Sequence, residues 1–146
     1  MKKFAEQAID AACSRGATYA DVRLIETQEQ LITTQNGEVE TLLSTDSVGM
    51  GIRTIVNGAW GFAACQEIRR DSVEKTARQA VAVAKASAMV KAGELRLAPL
   101  ERTVATWHSP CKKNPFKISL ETKLDLLMKV DHALRAGLLK QGRQAR

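Results

Sequence analysis

Residues 46–65 read DSVGMGIRTIVNGAWGFAAC, and the pair Asn57-Gly58 at their centre decides the fold of the chain. A two-residue hairpin turn of type I′ needs positive φ at both central positions, and Asn-Gly is the pair that accepts this most readily. Pairing outward from the turn sets Val56 against Ala59, Ile55 against Trp60, Arg53 against Phe62 and Gly51 against Ala64. Side chains alternate across a strand. One face of this hairpin therefore carries Met50, Ile52, Val56, Ala59 and Ala63, an apolar set suited to packing under helices. The other face carries Gly49, Gly51, Arg53, Ile55, Trp60 and Phe62. Both faces are expected to be partly covered, whereas a small antiparallel sheet commonly leaves one face in water. Gly49 and Gly51 are read as room for the aromatic rings of Trp60 and Phe62.

Upstream, Phe4 to Arg15 has apolar residues at helical spacing (Phe4, Ala5, Ala8, Ile9, Ala12), and Gly16 is placed to end that helix in a left-handed conformation. Tyr19 to Gln35 alternates as a long strand. Asn36-Gly37 repeats the turn signal of Asn57-Gly58 and returns the chain through Glu38 to Leu43. The polar run Ser44 to Ser47 reads as a short turn into the next strand. These segments make an antiparallel meander of about four strands.

Downstream, Asp71 to Lys91 is a second helix, opened by Asp71 and Glu74 in capping-box spacing. Its stripe of Val73, Ala77, Ala80, Val81, Ala84 and Ala88 is made of small side chains that permit close approach to the meander. Pro99, Pro110 and Pro115 punctuate an irregular stretch in which Val104 to Trp107 is a candidate short strand. Ser119 caps a third helix running to Ala136, with Leu120, Leu124, Leu127, Val130 and Leu134 as its buried face and Gly137 as its stop. The fold class is thus α+β. The organisation expected is a helix–meander–helix core over 1–93, an irregular segment and helix of the same domain over 94–137, and a disordered basic tail over 138–146.

Composition narrows the function. Of 146 residues, 45% are hydrophobic and only 4% aromatic, so the interior is aliphatic and alanine-rich. No apolar run approaches the ~20 residues that cross a bilayer, and Glu6 and Asp10 interrupt any signal-peptide core after Lys2-Lys3, so membrane association is not expected and a cytoplasmic location is. The three cysteines, Cys13, Cys65 and Cys111, form no CxxC pair. Cys13 and Cys65 read as small buried hydrophobes and Cys111 as a loop thiol. The formal charge is +6, concentrated in residues 96–146, where eleven Lys/Arg face four Asp/Glu. That basic part allows an alternative reading, a stand-alone binding module for an acidic protein or nucleic acid. Nucleic acid draws little support, for want of a recognition-helix pattern or interleaved aromatics.

Four blocks carry a resemblance: Tyr19-Ala20-Asp21-Val22-Arg23, Asn36-Gly37-Glu38-Val39-Glu40, Gly49-Met50-Gly51-Ile52-Arg53 and Asn57-Gly58-Ala59-Trp60-Gly61-Phe62-Ala63. In this order and spacing they resemble the amino-terminal domain of the TldD/PmbA proteins, metallopeptidase subunits often labelled modulators of DNA gyrase. The likeness continues through Trp107-His108-Ser109-Pro110, Asn114-Pro115-Phe116 and Leu120-Glu121-Thr122-Lys123-Leu124, with Asn114 where the family pattern leads one to expect aspartate. The resemblance implies that proteolysis resides in a later domain, in a zinc motif HExxxH with a distant cysteine, and that family chains run well beyond this length. This chain is accordingly expected to be an amino-terminal fragment.

A catalytic zinc needs about three protein ligands and a carboxylate to handle the proton. Only His108 and His132 are present, neither followed by glutamate, so no catalytic or metal-binding residue is assigned and no cofactor is expected in this chain. Expected instead is a structural and subunit-pairing domain, inactive alone, with another TldD/PmbA-type subunit or itself as partner. Peptide substrates belong to the full-length assembly. The residues assigned are Ile55, Trp60, Phe62 and Arg53 as an interface, and Asn36, Gly37, Asn57 and Gly58 as structural turns.

Overall fold

The structure, a computed structural model, describes residues 1–93, 95–99, 101 and 103–140. Its elements in chain order are α1 (Lys2–Cys13), β1 (Tyr19–Gln35), β2 (Glu38–Val56), β3 (Ala59–Cys65), α2 (Arg70–Val90), a short 3-10 turn (Pro115–Lys117) and α3 (Leu120–Lys140). The three strands form one antiparallel sheet in the order β1-β2-β3.

The strand count corrects the expected four. Ser44 to Ser47 makes no turn, and β2 runs unbroken from Glu38 to Val56. Polarity in that run reflects exposure rather than chain reversal: residues 42–48 all face solvent. Unlike Asn-Gly, the run holds no residue pair suited to the positive φ that a tight hairpin turn requires. Where the chain does reverse, it uses that chemistry. Asn36 and Gly37 have φ of 55° and 86°, and Asn57 and Gly58 have 49° and 70°. The β2–β3 register sets Val56 opposite Ala59, Ile55 opposite Trp60, Arg53 opposite Phe62 and Gly51 opposite Ala64.

Two compact units divide the chain, Met1–Gln28 with Asp46–Glu101, and Glu29–Thr45 with Arg102–Arg146. In the first unit α1 and α2 pack together, and α2 packs on β3. Met50, Ile52, Ala63, Val73, Ala77 and Ala80 are the centre of the core, and Ala12, Val56, Val81 and Ala84 extend it. The alanines let backbone approach backbone. At Gly61 the contact is so close that a Cβ would stand 2.0 Å from the Ala80 carbonyl oxygen and 2.4 Å from the Ala84 nitrogen.

Several local expectations change. Helix α2 starts one residue earlier, with Arg69 at the N-cap and no side-chain cap, so Asp71 lies inside the first turn. Glu74, the other half of the expected box, accepts a hydrogen bond from Gln7 Nε2 at 2.9 Å and thereby ties α2 to α1. Cys13 is exposed and Cys65 half-buried. The buried face of α1 is Ala8, Ala11 and Ala12, and Cys13 falls a further 100° round the helix, off that face. Val104 to Trp107 forms no strand, and Val104 and Trp107 are exposed.

In the second unit, Ser119 Oγ accepts from the Thr122 amide at 3.2 Å at the start of α3. The expected buried stripe is not enclosed: Leu124 and Leu127 are half-buried, while Leu120, Val130 and Leu134 are exposed. The half-buried set is shifted to Lys123, Leu124, Leu127, Met128, Asp131, Arg135 and Ala136. Long polar side chains account for the shift. Lys123 Nζ donates to Gln30 Oε1, Arg135 pairs with Asp131 at 2.8 Å, and the Arg135 guanidinium covers Gly37. Helix α3 also passes Gly137 and continues to Lys140, since a glycine costs only about 1 kcal/mol in a helix. The expected disordered tail, 138–146, lies outside the described residues from 141 onward.

One core atom is out of keeping with its surroundings. Thr54 is fully buried opposite Gly61, and among the described residues its hydroxyl has no hydrogen-bond partner. A buried hydroxyl without a partner forfeits its hydration for nothing. Thr54→Val is expected to stabilise the protein by about 1 kcal/mol, read as a raised urea midpoint with unchanged slope. A lowered midpoint would show that the hydroxyl is hydrogen-bonded after all.

Candidate functional site

The helices cover only one face of the first unit's sheet. On the open face, period-two alternation brings Tyr19, Asp21, Arg23 and Ile25 of β1 beside Gly51, Arg53 and Ile55 of β2 and Trp60 and Phe62 of β3. Partial cover was expected on both faces, and on this one it comes from the sheet's own side chains.

Arg53 is the hub. Its Nε donates to Asp21 Oδ2 at 2.8 Å, and a terminal nitrogen reaches the same oxygen at 2.7 Å. The guanidinium lies 4.5 Å from the centroid of the Trp60 ring, a cation–π contact. Trp60 in turn meets Tyr19 edge-on, with centroids 5.9 Å apart and planes at 81°. The Asp21 hydrogen bond, the largest influence, raises the Arg53 pKa, and Tyr19 adds to it in the same direction. Arg53 is thus held in a fixed position and always charged. Because the pair remains solvent-accessible, it contributes position more than stability.

Phe62 stands apart from this cluster. It is 60% exposed, and its ring lies over Gly51, where an added Cβ would stand 3.0 Å from it. The glycine therefore gives this ring its seat; Trp60 instead rests among Tyr19 and Arg53. A hollow opens on either side of Phe62. One, of about 330 Å³, is lined by Asp21, Arg23, Ile25, Gly51, Arg53 and Phe62. The other, of about 360 Å³, is apolar, bounded by Ile25, Gly49, Met50, Phe62, Ala64 and Cys65 among others.

Of the four interface residues assigned from sequence, the structure brings Arg53, Trp60 and Phe62 to this open face with their side chains accessible. Ile55 is only 5% exposed and offers little contact surface. Sequence reasoning missed Asp21 and Arg23. They lie some thirty residues from Arg53, and the available signal was their strand parity: they share it with Tyr19 and Ile25.

His108, Cys111 and His132 do not converge on a site. All three are exposed, and Cys111 Sγ donates to the Lys113 carbonyl at 3.0 Å. Among the described residues no group of three or more His, Cys, Asp or Glu could hold a metal ion. Nor, among them, is any helix long and apolar enough to cross a membrane.

A three-stranded meander under two alanine-rich helices, with an arginine latched on its open face, defines an α+β scaffold domain. Comparison with known proteins gives it a family. Residues 20–84 match the model of the PmbA/TldA metallopeptidase domain 1. A metalloprotease of Methanocaldococcus jannaschii is 24% identical over 75% of this chain and 24% of its own length. A metalloprotease of a Synechocystis species is 28% identical over 82% of this chain and 25% of its own length. Among solved structures, TldE from Thermococcus kodakarensis superposes with a TM-score of 0.69 at 14% identity, covering 92% of this chain and 29% of that one. A protein described as a modulator of DNA gyrase from Bacteroides thetaiotaomicron gives 0.67 at 17% identity, covering 88% and 29%. Residues 20–84 are the first, amino-terminal domain of the TldD/PmbA family. The chain spans about a quarter of the length of the curated relatives it matches.

Proposed function

We propose that this chain is the structural and subunit-pairing part of a TldD/PmbA-type metallopeptidase, taking part in proteolysis only through an assembly whose zinc is held by a different domain. The observation that supports this reading is the open sheet face, where Arg53 is fixed by Asp21 and Trp60 beside the exposed ring of Phe62. A fixed charge next to an accessible aromatic has the composition of an interface hot spot. The donor set described does not fit a catalytic zinc, which needs about three converging ligands. No step of the peptidase reaction is assigned to these residues. The partner is another TldD/PmbA-type subunit or a second copy of this chain.

Sedimentation of the purified chain, alone and with a full-length family subunit bearing HExxxH, tests the proposal. Association is expected, to be weakened by Trp60→Ser and Phe62→Ser, and to persist as salt is raised. A steep fall with salt would instead favour the basic-module reading, since binding to polyanions releases counterions. The chain alone is expected to retain no near-stoichiometric zinc after dialysis and to cut no peptide. Cleavage by the chain alone, abolished by His108→Ala, would overturn the assignment.

A further inference from the structure

The open face has two chemically different hollows, and the pairing reading alone does not say what they are for. The first is polar at one end. It contains two guanidinium-bearing residues, Arg23 and Arg53, against one carboxylate, Asp21. Asp21 is engaged by Arg53 through a single oxygen. No ion pair is found for Arg23 among the described residues, and its side chain is exposed. The hollow therefore has a net positive charge at a site already ordered by the Trp60 stack. A guanidinium presents donors in a planar fork that matches a carboxylate.

The second hollow is bounded by Ile25, Gly49, Gly51, Phe62 and Ala64, by Met50 and Cys65, which pack toward the core, and by Gln66, its one polar side chain, with no charged side chain on its wall. The two share Ile25, Gly51 and Phe62, so they are neighbours separated by the Phe62 ring. Gly51 supplies the floor of both. A ligand that fills the pair must offer a negative charge and, a short distance away on the same side, an aliphatic group. In an extended chain, side chains at i and i+2 point the same way about 7 Å apart. That spacing spans one aromatic ring.

We propose that the open face of the first unit is a docking groove for an extended protein segment with an acidic residue and, two positions on, an aliphatic residue. The carboxylate sits between Arg23 and Arg53. The aliphatic side chain lies beyond Phe62, over Gly49 and Ala64. This inference rests on the pairing reading above and adds the chemistry by which the partner is recognised. The charge complementarity is specific: a neutral side chain in the same position leaves Arg23 without a counter-charge, and a basic one is repelled.

The test uses the whole chain and three probe peptides, Ac-Gly-Glu-Ser-Leu-Gly-amide, its Glu→Gln analogue and its Leu→Ser analogue. Binding is followed by NMR shifts of the Arg53 Nε–H, the Gly51 amide and the Phe62 ring. The first peptide is expected to shift all three and to bind about tenfold more tightly than either analogue. Arg23→Gln, an exposed substitution that leaves the Asp21–Arg53 pair in place, is expected to remove the preference for Glu over Gln while leaving that for Leu over Ser. Equal binding of the Glu and Gln peptides overturns the proposal, as do shifts confined to other residues or no binding at millimolar peptide. The two readings fail separately. If the chain associates with a family subunit through Phe62 but ignores the Glu peptide, the docking chemistry is wrong and the pairing stands. If the peptide binds in the groove but neither Trp60→Ser nor Phe62→Ser alters subunit association, the groove stands and the pairing surface is elsewhere.

Discussion

Gly61→Ala is expected to destabilise the domain by roughly 3 kcal/mol or more, at or beyond the top of the range for overpacking a core. One methyl group does this because of where it would go. Its carbon would stand 2.0 Å from the Ala80 oxygen, 2.4 Å from the Ala84 nitrogen and 2.8 Å from the Ala84 Cβ. Two of those three are backbone atoms of α2, which no rotamer change can move. The strand or the whole helix must shift, and a shift of α2 loosens Val73, Ala77 and Ala80 together. The melting temperature should fall by on the order of 10 °C. Gly49→Ala is the control. Its new Cβ would meet nothing closer than 3.7 Å, an ordinary contact, so its midpoint should barely change. Adding Ala84→Gly to Gly61→Ala should recover only part of the loss, because the Ala80 oxygen remains in the way. Equal melting of Gly61→Ala and the parent would mean that α2 is not seated on β3 at this point.

The Gly61 contact also shows what could and could not be read from the sequence. The hairpin register followed from Asn57-Gly58 alone, because the turn fixes which residues face each other. The small-residue stripe of α2 announced a close approach to the meander, yet its counterpart on the sheet was not identified. Gly49 and Gly51 drew notice as room for rings, which the structure supports at Gly51 under Phe62. Gly61 has the same parity as Ala59 and Ala63, on the helix-facing side, and there a missing side chain means a helix backbone in contact. Short polar runs misled in the opposite direction, as Ser44 to Ser47 shows. Polarity says that water is near, and β2 satisfies that while staying extended. The open face of the sheet was half legible. Trp60, Phe62 and Arg53 share a face by alternation, but the Asp21 that fixes Arg53 comes from another strand, and one strand's pattern does not contain the register of its neighbour. Ile55 shares that face by alternation too, but it is only 5% exposed, and alternation says which way a side chain points without saying how deeply it is covered.

Gly58→Val should cost about 1–3 kcal/mol, the range for holding a side chain in a sparsely populated backbone region. Gly58 has φ of 70°, where a β-branched side chain crowds its own backbone. The strain cannot be relieved locally. The residues on either side of the turn, Val56 and Ala59, are 2% and 6% exposed, so relaxing the turn would pull core residues out of register. The turn also anchors the chain beyond α2: the Gly58 carbonyl accepts from the Leu95 amide at 3.1 Å, and the Asn57 carbonyl accepts from Lys91 Nζ at 2.6 Å. Gly37→Val is the internal comparison. It has the same left-handed requirement, with φ of 86°, but Gln35 and Glu38 beside its turn are less enclosed than Val56 and Ala59, and the group in the way is the flexible end of Arg135. The turn there can yield into solvent, so the loss should be smaller. Gly58→Asn should be mild, because asparagine accepts left-handed φ far better than valine. Thermal melts of the four proteins are expected to rank parent, Gly58→Asn, Gly37→Val and Gly58→Val in order of falling midpoint. A Gly58→Val midpoint equal to the parent's would mean that the chain reverses there by some other turn.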